Sequence, residues 1–200
     1  MSYPQLVVIF VLAIAAIAPA RAMPVTVEAA MAERSLGKAD AKVTVIEYAS
    51  LTCPHCAAFH RDALPELKKQ YIDTGKLRYV FRDFPLDGRA AIAAMAARCA
   101  PKERYFPFLD ALFKTQEQWA RAEDVHKALL PIARLAGMSQ DDYEACVKNE
   151  ALFQAIRAAR SQAESEFRIE STPSFVVNGK KTELGTTFTS VEKALRPLLK

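Results

Sequence analysis

The sequence predicts an α/β fold in which an all-α insertion separates a strand–helix–strand half from a second half of two strands and a helix. Strand-like segments at residues 43–50 and 76–84 flank a helical segment. Segments rich in Ala, Leu and Glu then fill the chain from residue 89 to about 168, and strand signals return only after them. A helical crossover makes the first two strands parallel, because a hairpin can join only antiparallel strands. The order of elements therefore indicates one layered α/β domain.

The first half begins with Val43–Ser50, VTVIEYAS, whose β-branched and aromatic residues predict a buried strand. Glu47 in its middle is anomalous, since a buried carboxylate needs a partner or a function. A helical pattern runs from Cys56 to about Tyr71, and Pro65 inside it should kink or break the helix. Lys76–Phe84 predicts the second strand.

The helical block, Arg89 to about Arg168, should form four or five helices, with caps at Asp124 and Ser139. The last of them is a long helix from about Ala151 to Phe167. We place the insertion at about residues 86–150.

The C-terminal part has the pattern of a hairpin followed by a helix. Ser174–Val177 and Lys181–Leu184 predict two strands, and Asn178-Gly179 between them is a typical hairpin turn. A final helix is expected from about Ser190 to Leu199. Near the N-terminus, a short helix is expected around Val27–Arg34.

The N-terminus has the pattern of a secretory signal. Leu6–Ala18 is uncharged and apolar, and Ala20-Arg21-Ala22 fits the small-x-small cleavage rule. A helix of that length would span about 20 Å of a hydrocarbon layer about 30 Å thick. We therefore expect a signal peptide at 1–22 and a mature domain at 23–200 in an oxidising compartment. The usual basic residues are missing from Met1–Gln5, so an uncleaved anchor is the alternative.

The charge of the chain is too small to indicate nucleic-acid binding. The formal net charge is +4 and falls to +3 when Arg21, the only charged side chain of residues 1–22, is removed. Basic residues pair only at Lys68-Lys69 and Lys180-Lys181, too few for a stripe that tracks phosphates. The mature length suits one domain.

The chemistry is concentrated in Cys53-Pro54-His55-Cys56, which follows a strand and opens a helix. At a helix N-terminus, free backbone N–H groups and the positive end of the helix dipole favour a thiolate at Cys53. The imidazole of His55 can lower the pKa of that sulfur further. Cys56 lies one turn inward without this help, so the pair predicts one attacking and one resolving sulfur, and a strongly oxidising disulfide.

Two other interpretations compete for the cysteine pair. A structural staple is disfavoured because a three-residue loop removes little chain entropy. A zinc site using Cys53, Cys56 and His60 lacks a second close pair of ligands. Otherwise we expect His60 and His126 at the surface or on a helix face, and Trp119 in the core.

The order strand, CPHC, helix, strand, helical insertion, Thr-Pro, hairpin, helix resembles the DsbA family of periplasmic thiol-disulfide oxidoreductases, of thioredoxin fold. The likeness covers about Lys38 to Lys200. It implies that Cys53 is the nucleophile and that Cys56 resolves, with Pro54 and His55 as the dipeptide of oxidising members. Thr172-Pro173 matches the cis-proline that faces the disulfide, which makes Thr172 a substrate-binding residue. Glu47 matches an acidic residue beneath the site that accepts a proton from Cys56, although pairing with a lysine is the alternative.

The resemblance implies an enzyme that donates its disulfide to reduced or unfolded secreted proteins. It also implies reoxidation by a quinone-linked DsbB-type membrane partner, a periplasmic location and no cofactor. A disulfide isomerase or reductase of the same fold is the closest alternative, and a chaperone-like binder is another. Only about twenty residues precede the first strand of the mature chain, where isomerases carry an oligomerisation segment, so a monomer is expected.

Cys99 and Cys146 stand apart from the active-site pair, in the helical block. Free buried thiols are possible there, but an oxidising compartment favours a disulfide between them. DsbA relatives of the alphaproteobacterial type resemble this chain in having such a second pair. We expect it to tune stability or redox potential rather than to attack substrate.

Overall fold

The structure is a computed structural model that describes residues 25–199, so the predicted signal segment lies outside the described residues. Its first half contains a strand–helix–strand unit, as predicted. The elements in chain order are α1 (Val27–Met31), β1 (Arg34–Leu36), β2 (Val43–Ala49), α2 (Pro54–Asp62), α3 (Leu64–Leu67), a π-helical turn (Lys68–Ile72) and β3 (Leu77–Asp83). The expected break at Pro65 divides the helix, because α3 starts afresh with proline in its first turn.

Helices alone connect β3 to the next strand. They are α4 (Gly88–Cys99), a 3₁₀ turn (Lys102–Arg104), α5 (Tyr105–Lys114), α6 (Gln116–Ala120), α7 (Val125–Leu135), α8 (Gln140–Val147) and α9 (Glu150–Phe167). Within the described chain these are six α-helices, so the prediction of four or five was wrong. The extra helix is the five-residue α6, separated from α5 by Thr115. Asp124 and Ser139 cap α7 and α8 as predicted.

The chain closes with β4 (Ser174–Val177), β5 (Lys180–Thr182) and α10 (Phe188–Leu195). Asn178 and Gly179 both have positive φ, as the predicted hairpin turn requires.

The sheet has five strands in the order β1-β3-β2-β4-β5. β2 and β3 are parallel, and β4 pairs antiparallel with β2 on its other side. Glu47 in the centre of β2 lies opposite Phe81 of β3 and Phe175 of β4. The sheet therefore holds this carboxylate in its middle. β1 was not predicted, because its three residues pair only along the outer edge of β3.

The core joins the sheet to the helical block. Trp119 of α6 is fully buried in it, as predicted. A disulfide joins Cys99 at the end of α4 to Cys146 of α8, as predicted, with a Cα–Cα distance of 6.2 Å. Among the helices of residues 25–199, none combines the length and apolar character needed to cross a membrane.

Candidate active site

Cys53 lies where β2 turns into α2, as the N-cap of that helix. Its extended backbone and Pro54 in the first turn start the helix, and its sulfur accepts the backbone N–H of Cys56 at 3.4 Å. Both cysteines are free thiols in this structure, so the geometry is that of the reduced form. The sequence thus places the first sulfur at the helix N-terminus.

The surroundings of Cys53 lower its pKa to about 5. The largest cause is a hydrogen bond from the Cys56 side chain, which stabilises the thiolate. Burial acts in the opposite direction and raises the pKa. The side chain of Thr172 and the backbone N–H groups of Cys56 and His55 lower it further. His55 contributes through its backbone, whereas the residue itself is exposed at the surface with Pro54. The position at the helix start therefore stabilises the thiolate by several small contributions.

Cys56 has the opposite electrostatic environment. It is fully buried, and burial raises its pKa far above that of a free thiol. Its hydrogen bond to Cys53 and the negative charge of Glu47 raise the pKa further. At neutral pH the reduced pair therefore carries one thiolate and one thiol.

Thr172 reaches Cys53 from the other half of the fold. Its carbonyl oxygen lies 3.2 Å from the Cys53 sulfur, across 119 positions of sequence. The Thr172-Pro173 peptide is cis, as predicted. The Thr172 hydroxyl is buried and has no hydrogen-bond partner among the described residues. The loop before β4 thus forms one wall of the site.

Glu47 lies beneath the cysteines with no exposure to solvent. The Tyr79 hydroxyl donates to its Oε2 atom, and Nε2 of His60 lies 3.1 Å from the same oxygen. Its Oε1 atom has no hydrogen-bond partner among the described residues. The partners of this carboxylate are therefore a tyrosine and a histidine rather than a lysine.

His60 was expected at the surface or on a helix face, and it lies buried on the inner face of α2. Its side chain is 2% exposed and packs on Phe113, with ring centroids 4.2 Å apart. A signal for this was available, since His60 follows the buried Cys56 by four residues and so lies on the same face of α2. His126 is exposed, as expected. Within residues 25–199 no group of three or more His, Cys, Asp or Glu side chains is arranged to hold a metal ion.

Sequence reasoning also missed Gln116, the first residue of α6. Its side-chain amide is buried and donates to the backbone oxygens of Leu51 and Cys53. No local pattern marks this residue, because its partners are more than sixty positions away.

Comparisons with known proteins agree with this geometry. A family model described as "Thioredoxin" matches residues 29–196. The crystal structure of alpha-DsbA1 from Wolbachia pipientis is similar, with 33% identity, a TM-score of 0.77, and coverage of 84% of this chain and 92% of that chain. The chain belongs to the DsbA family of thiol-disulfide oxidoreductases. Its thioredoxin-like fold with a helical insertion is that of the family.

Other relatives carry related names. A protein of Rickettsia conorii named as a protein-disulfide oxidoreductase is 36% identical over 179 residues, covering 88% of this chain and 65% of that protein. BdbD from Bacillus subtilis, in its oxidised crystal structure, has 25% identity and a TM-score of 0.71, with coverage of 84% of this chain and 92% of that chain. The chain spans less than two thirds of the length of the rickettsial relatives that it matches.

Proposed function

We propose that this DsbA-family enzyme is an oxidase that donates a Cys53–Cys56 disulfide to reduced secreted or periplasmic proteins. A client thiolate attacks the Cys53 sulfur, a mixed disulfide forms, and the Cys56 sulfur leaves and takes up a proton. A second client thiolate then attacks the client sulfur of the mixed disulfide, and Cys53 leaves as a thiolate. The client loses two electrons, and the cysteine pair gains them.

The observation that carries this proposal is the opposite pKa shift of the two thiols. A pKa of about 5 keeps Cys53 ionised at neutral pH, whereas Cys56 stays protonated. Stabilising one thiolate favours the dithiol over the disulfide, so the disulfide should be a strong oxidant. A low pKa also makes Cys53 a good leaving group in the last step.

The position of Thr172 beside Cys53 is evidence that the substrate is an extended segment of the client protein. Its backbone lies beside the Cys53 sulfur, so a client cysteine at that sulfur would bring its own main chain next to Thr172. Main-chain pairing asks little of the client's side chains and needs an unfolded or extended stretch. The enzyme should therefore accept many client sequences, provided that the client is unfolded or extended.

The cellular setting of the proposal comes from the family and from the sequence. The dithiol must be reoxidised, and we assign this to a quinone-linked DsbB-type membrane partner. Cleavage of a signal peptide at 1–22 would deliver the domain to the periplasm. A relative in Bacillus subtilis is named disulfide bond formation protein D, which fits this use. The enzyme is proposed to act as a monomer, with residues 86–150 as its insertion.

Equilibration with a glutathione redox buffer tests the oxidase assignment. We expect a reduction potential in the oxidising range, near that of strong disulfide donors at about −120 mV and well above about −270 mV for a reductant. The Cys53→Ala variant, which keeps the surface but loses the attacking sulfur, is the control for a chaperone-like binder. The proposal would be contradicted if the wild type does not oxidise reduced clients and this variant prevents their aggregation as well as the wild type does.

A second assay separates the oxidase from an isomerase. One client is prepared fully reduced or with scrambled disulfides, and its oxidation by the disulfide form is compared with its rescue by the dithiol form. We expect faster oxidation of the reduced client. Faster rescue of the scrambled client would favour the isomerase.

A further inference from the structure

A chain of polar side chains leads from Glu47, whose negative charge acts on the buried Cys56, toward the surface. Glu47 and Cys56 are both fully buried, so neither can exchange a proton with bulk water directly. From Glu47 the contacts continue to Nε2 of His60 at 3.1 Å, and from Nδ1 of His60 to Oδ1 of Asp110 at 3.9 Å. Asp110 belongs to α5 of the insertion, and its side chain is 53% exposed. His60 is therefore the link between a buried carboxylate and an exposed one.

The imidazole ring is suited to carry protons between these two carboxylates. Its two nitrogen atoms are distinct, and each faces one of them. The ring packs between two phenylalanines, which fix its position. Its centroid lies 4.2 Å from that of Phe113 and 5.8 Å from that of Phe81, which it meets edge-on. Nδ1 has no hydrogen-bond partner within the described residues, and the gap to Asp110 is too long for a direct bond. A water molecule or a small movement of the exposed Asp110 side chain can bridge that gap.

His60 and Asp110 both line a cavity of about 800 Å³ between α2, α3 and α5. Because His60 and Asp110 both line this cavity, it can give solvent a route to the outer end of the chain of contacts. The titratable groups around the ring are Glu47 of β2, Asp110 of α5 and the hydroxyl of Tyr79 of β3, which lies 3.3 Å from Nε2. Other charged residues line the cavity farther out: Arg61, Lys68, Lys102, Glu103 and Lys114.

We infer that His60 and Asp110 form a proton relay between solvent in this cavity and Glu47, which serves the buried Cys56 sulfur. The inference rests on the proposed oxidase function and extends it to the route of the proton. When the Cys53–Cys56 bond breaks, the electron pair stays on Cys56, and a proton reaches that sulfur through the Glu47 carboxylate. Glu47 takes this proton from Nε2 of protonated His60 and passes it on, and Nδ1 of His60 recovers a proton from solvent by way of Asp110. Reoxidation of the dithiol runs the same path outward.

The electrostatics of the ring agree with a role in holding a proton. Burial lowers the pKa of His60, but the negative charges of Glu47 and Asp110 outweigh burial and the net pKa is raised. His60 and Asp110 act through Glu47 and are positioning residues, since neither contacts a reacting sulfur.

The test measures how fast dithiothreitol reduces the Cys53–Cys56 disulfide, corrected for the dithiothreitol thiolate present at each pH. Samples are quenched with acid, alkylated and weighed by mass spectrometry. Asp110→Asn removes the outer carboxylate from an exposed position and should fold. Glu103→Gln is the matched control, because Glu103 is an exposed carboxylate that lines the same cavity. His60→Gln removes the ring itself.

We expect Asp110→Asn to slow the corrected rate about tenfold and His60→Gln about a hundredfold, since a positioned acid contributes about 10²-fold or more. In Asp110→Asn the pH at which the rate declines should move to lower pH, because His60 loses a negative neighbour. Added imidazole, which can enter the cavity, should restore much of the rate in both variants. Glu103→Gln should match the wild type.

The relay is overturned if Asp110→Asn has the rate and pH profile of Glu103→Gln, or if imidazole restores neither variant. A lost structural contact would not respond to added imidazole. Dithiothreitol reduces the disulfide whatever the client, so these measurements test the relay by themselves. Failure of the proposed function would instead appear as a wild-type protein that does not oxidise a reduced client peptide.

Discussion

The Nε2 atom of Gln116 donates a hydrogen bond to the backbone oxygen of Cys53 at 3.0 Å. The same amide donates to the oxygen of Leu51 at 2.8 Å. The first residue of α6 thus holds the loop between β2 and α2 in place. The insertion is therefore part of the active-site scaffold as well as a cover for it.

Replacing Gln116 with alanine should destabilise the protein by about 1–3 kcal/mol, because the oxygen of Leu51 is left buried without a donor. The oxygen of Cys53 keeps its bond from the N–H of Ala57. Chemical denaturation of the oxidised protein measures the change in the free energy of unfolding. Gln118→Ala, two residues later and exposed, is the control and should change it by less than about 0.5 kcal/mol. Equal effects of the two substitutions would remove the role assigned to the Gln116 amide.

Alkylation of the reduced protein should depend on pH as a thiolate with a pKa of about 5 requires. Only the thiolate reacts, so labelling of Cys53 should be nearly independent of pH at neutral values and fall about tenfold per unit below about pH 5. Cys56 should stay unlabelled in the native protein, since burial and its raised pKa keep it a thiol. Peptide mapping after iodoacetamide treatment distinguishes the two sites. A decline centred near the free-thiol value of about 8.5 would contradict the environment described for Cys53.

Thr172→Val should raise the pKa of Cys53. The Thr172 side chain favours the thiolate, and valine removes its hydroxyl while keeping the shape. A hydrogen bond to a charged group is worth about 1.5–3 kcal/mol, which corresponds to a rise in the pKa of Cys53 of about one to two units. Thiolate absorbance in the ultraviolet against pH measures it. Thr172→Ser keeps a hydroxyl and is the control, so a serine variant that titrates like the valine variant would count against this role.

Glu47→Gln should lower the pKa of His60, because one of the two carboxylates that together outweigh burial is lost. In the wild type the raised pKa means that protonated His60 contributes to stability below its unfolded value of about 6.5, and that this contribution is lost as pH rises through the folded pKa. NMR titration of the His60 ring follows the change directly. An unchanged His60 titration would show that Glu47 does not govern it.

Sequence patterns predicted the elements whose signal is local. The strand Ser174–Val177 has the predicted bounds, and β2 ends only one residue earlier than expected. Both strands could be predicted because they are rich in β-branched residues. β1 escaped prediction because Arg34–Leu36 lacks such a pattern and is a strand only by pairing with β3. The start of α7 was predicted from its cap at Asp124, but its continuation through Pro131 was not, because proline usually ends a helix.

The candidate site divides in the same way. The CPHC segment and Thr172-Pro173 could be predicted because the resemblance rests on contiguous motifs. The burial of His60 had a signal in its spacing from Cys56. The positions of Tyr79 beside Glu47 and of Asp110 beside His60 could not be predicted, since they depend on packing β3, α2 and α5 together. Asp110 carries no local signal, because an acidic residue on an amphipathic helix is usually a solvated one.

The disulfide between Cys99 and Cys146 should stabilise the insertion without taking part in exchange. It closes a loop with a sequence separation of 47, which corresponds to about 4 kcal/mol of unfolded-state entropy. We expect the Cys99→Ala/Cys146→Ala double variant to lose about that much free energy of unfolding, measured by chemical denaturation, while the pKa of Cys53 is unchanged. Graded dithiothreitol should open the Cys53–Cys56 bond first, because the low pKa of Cys53 favours its reduced form and Cys146 is buried between α4 and α8. Peptide mapping of the alkylated products should then show two separate reduction steps. A single step that releases all four thiols together, or a double variant as stable as the wild type, would contradict this role.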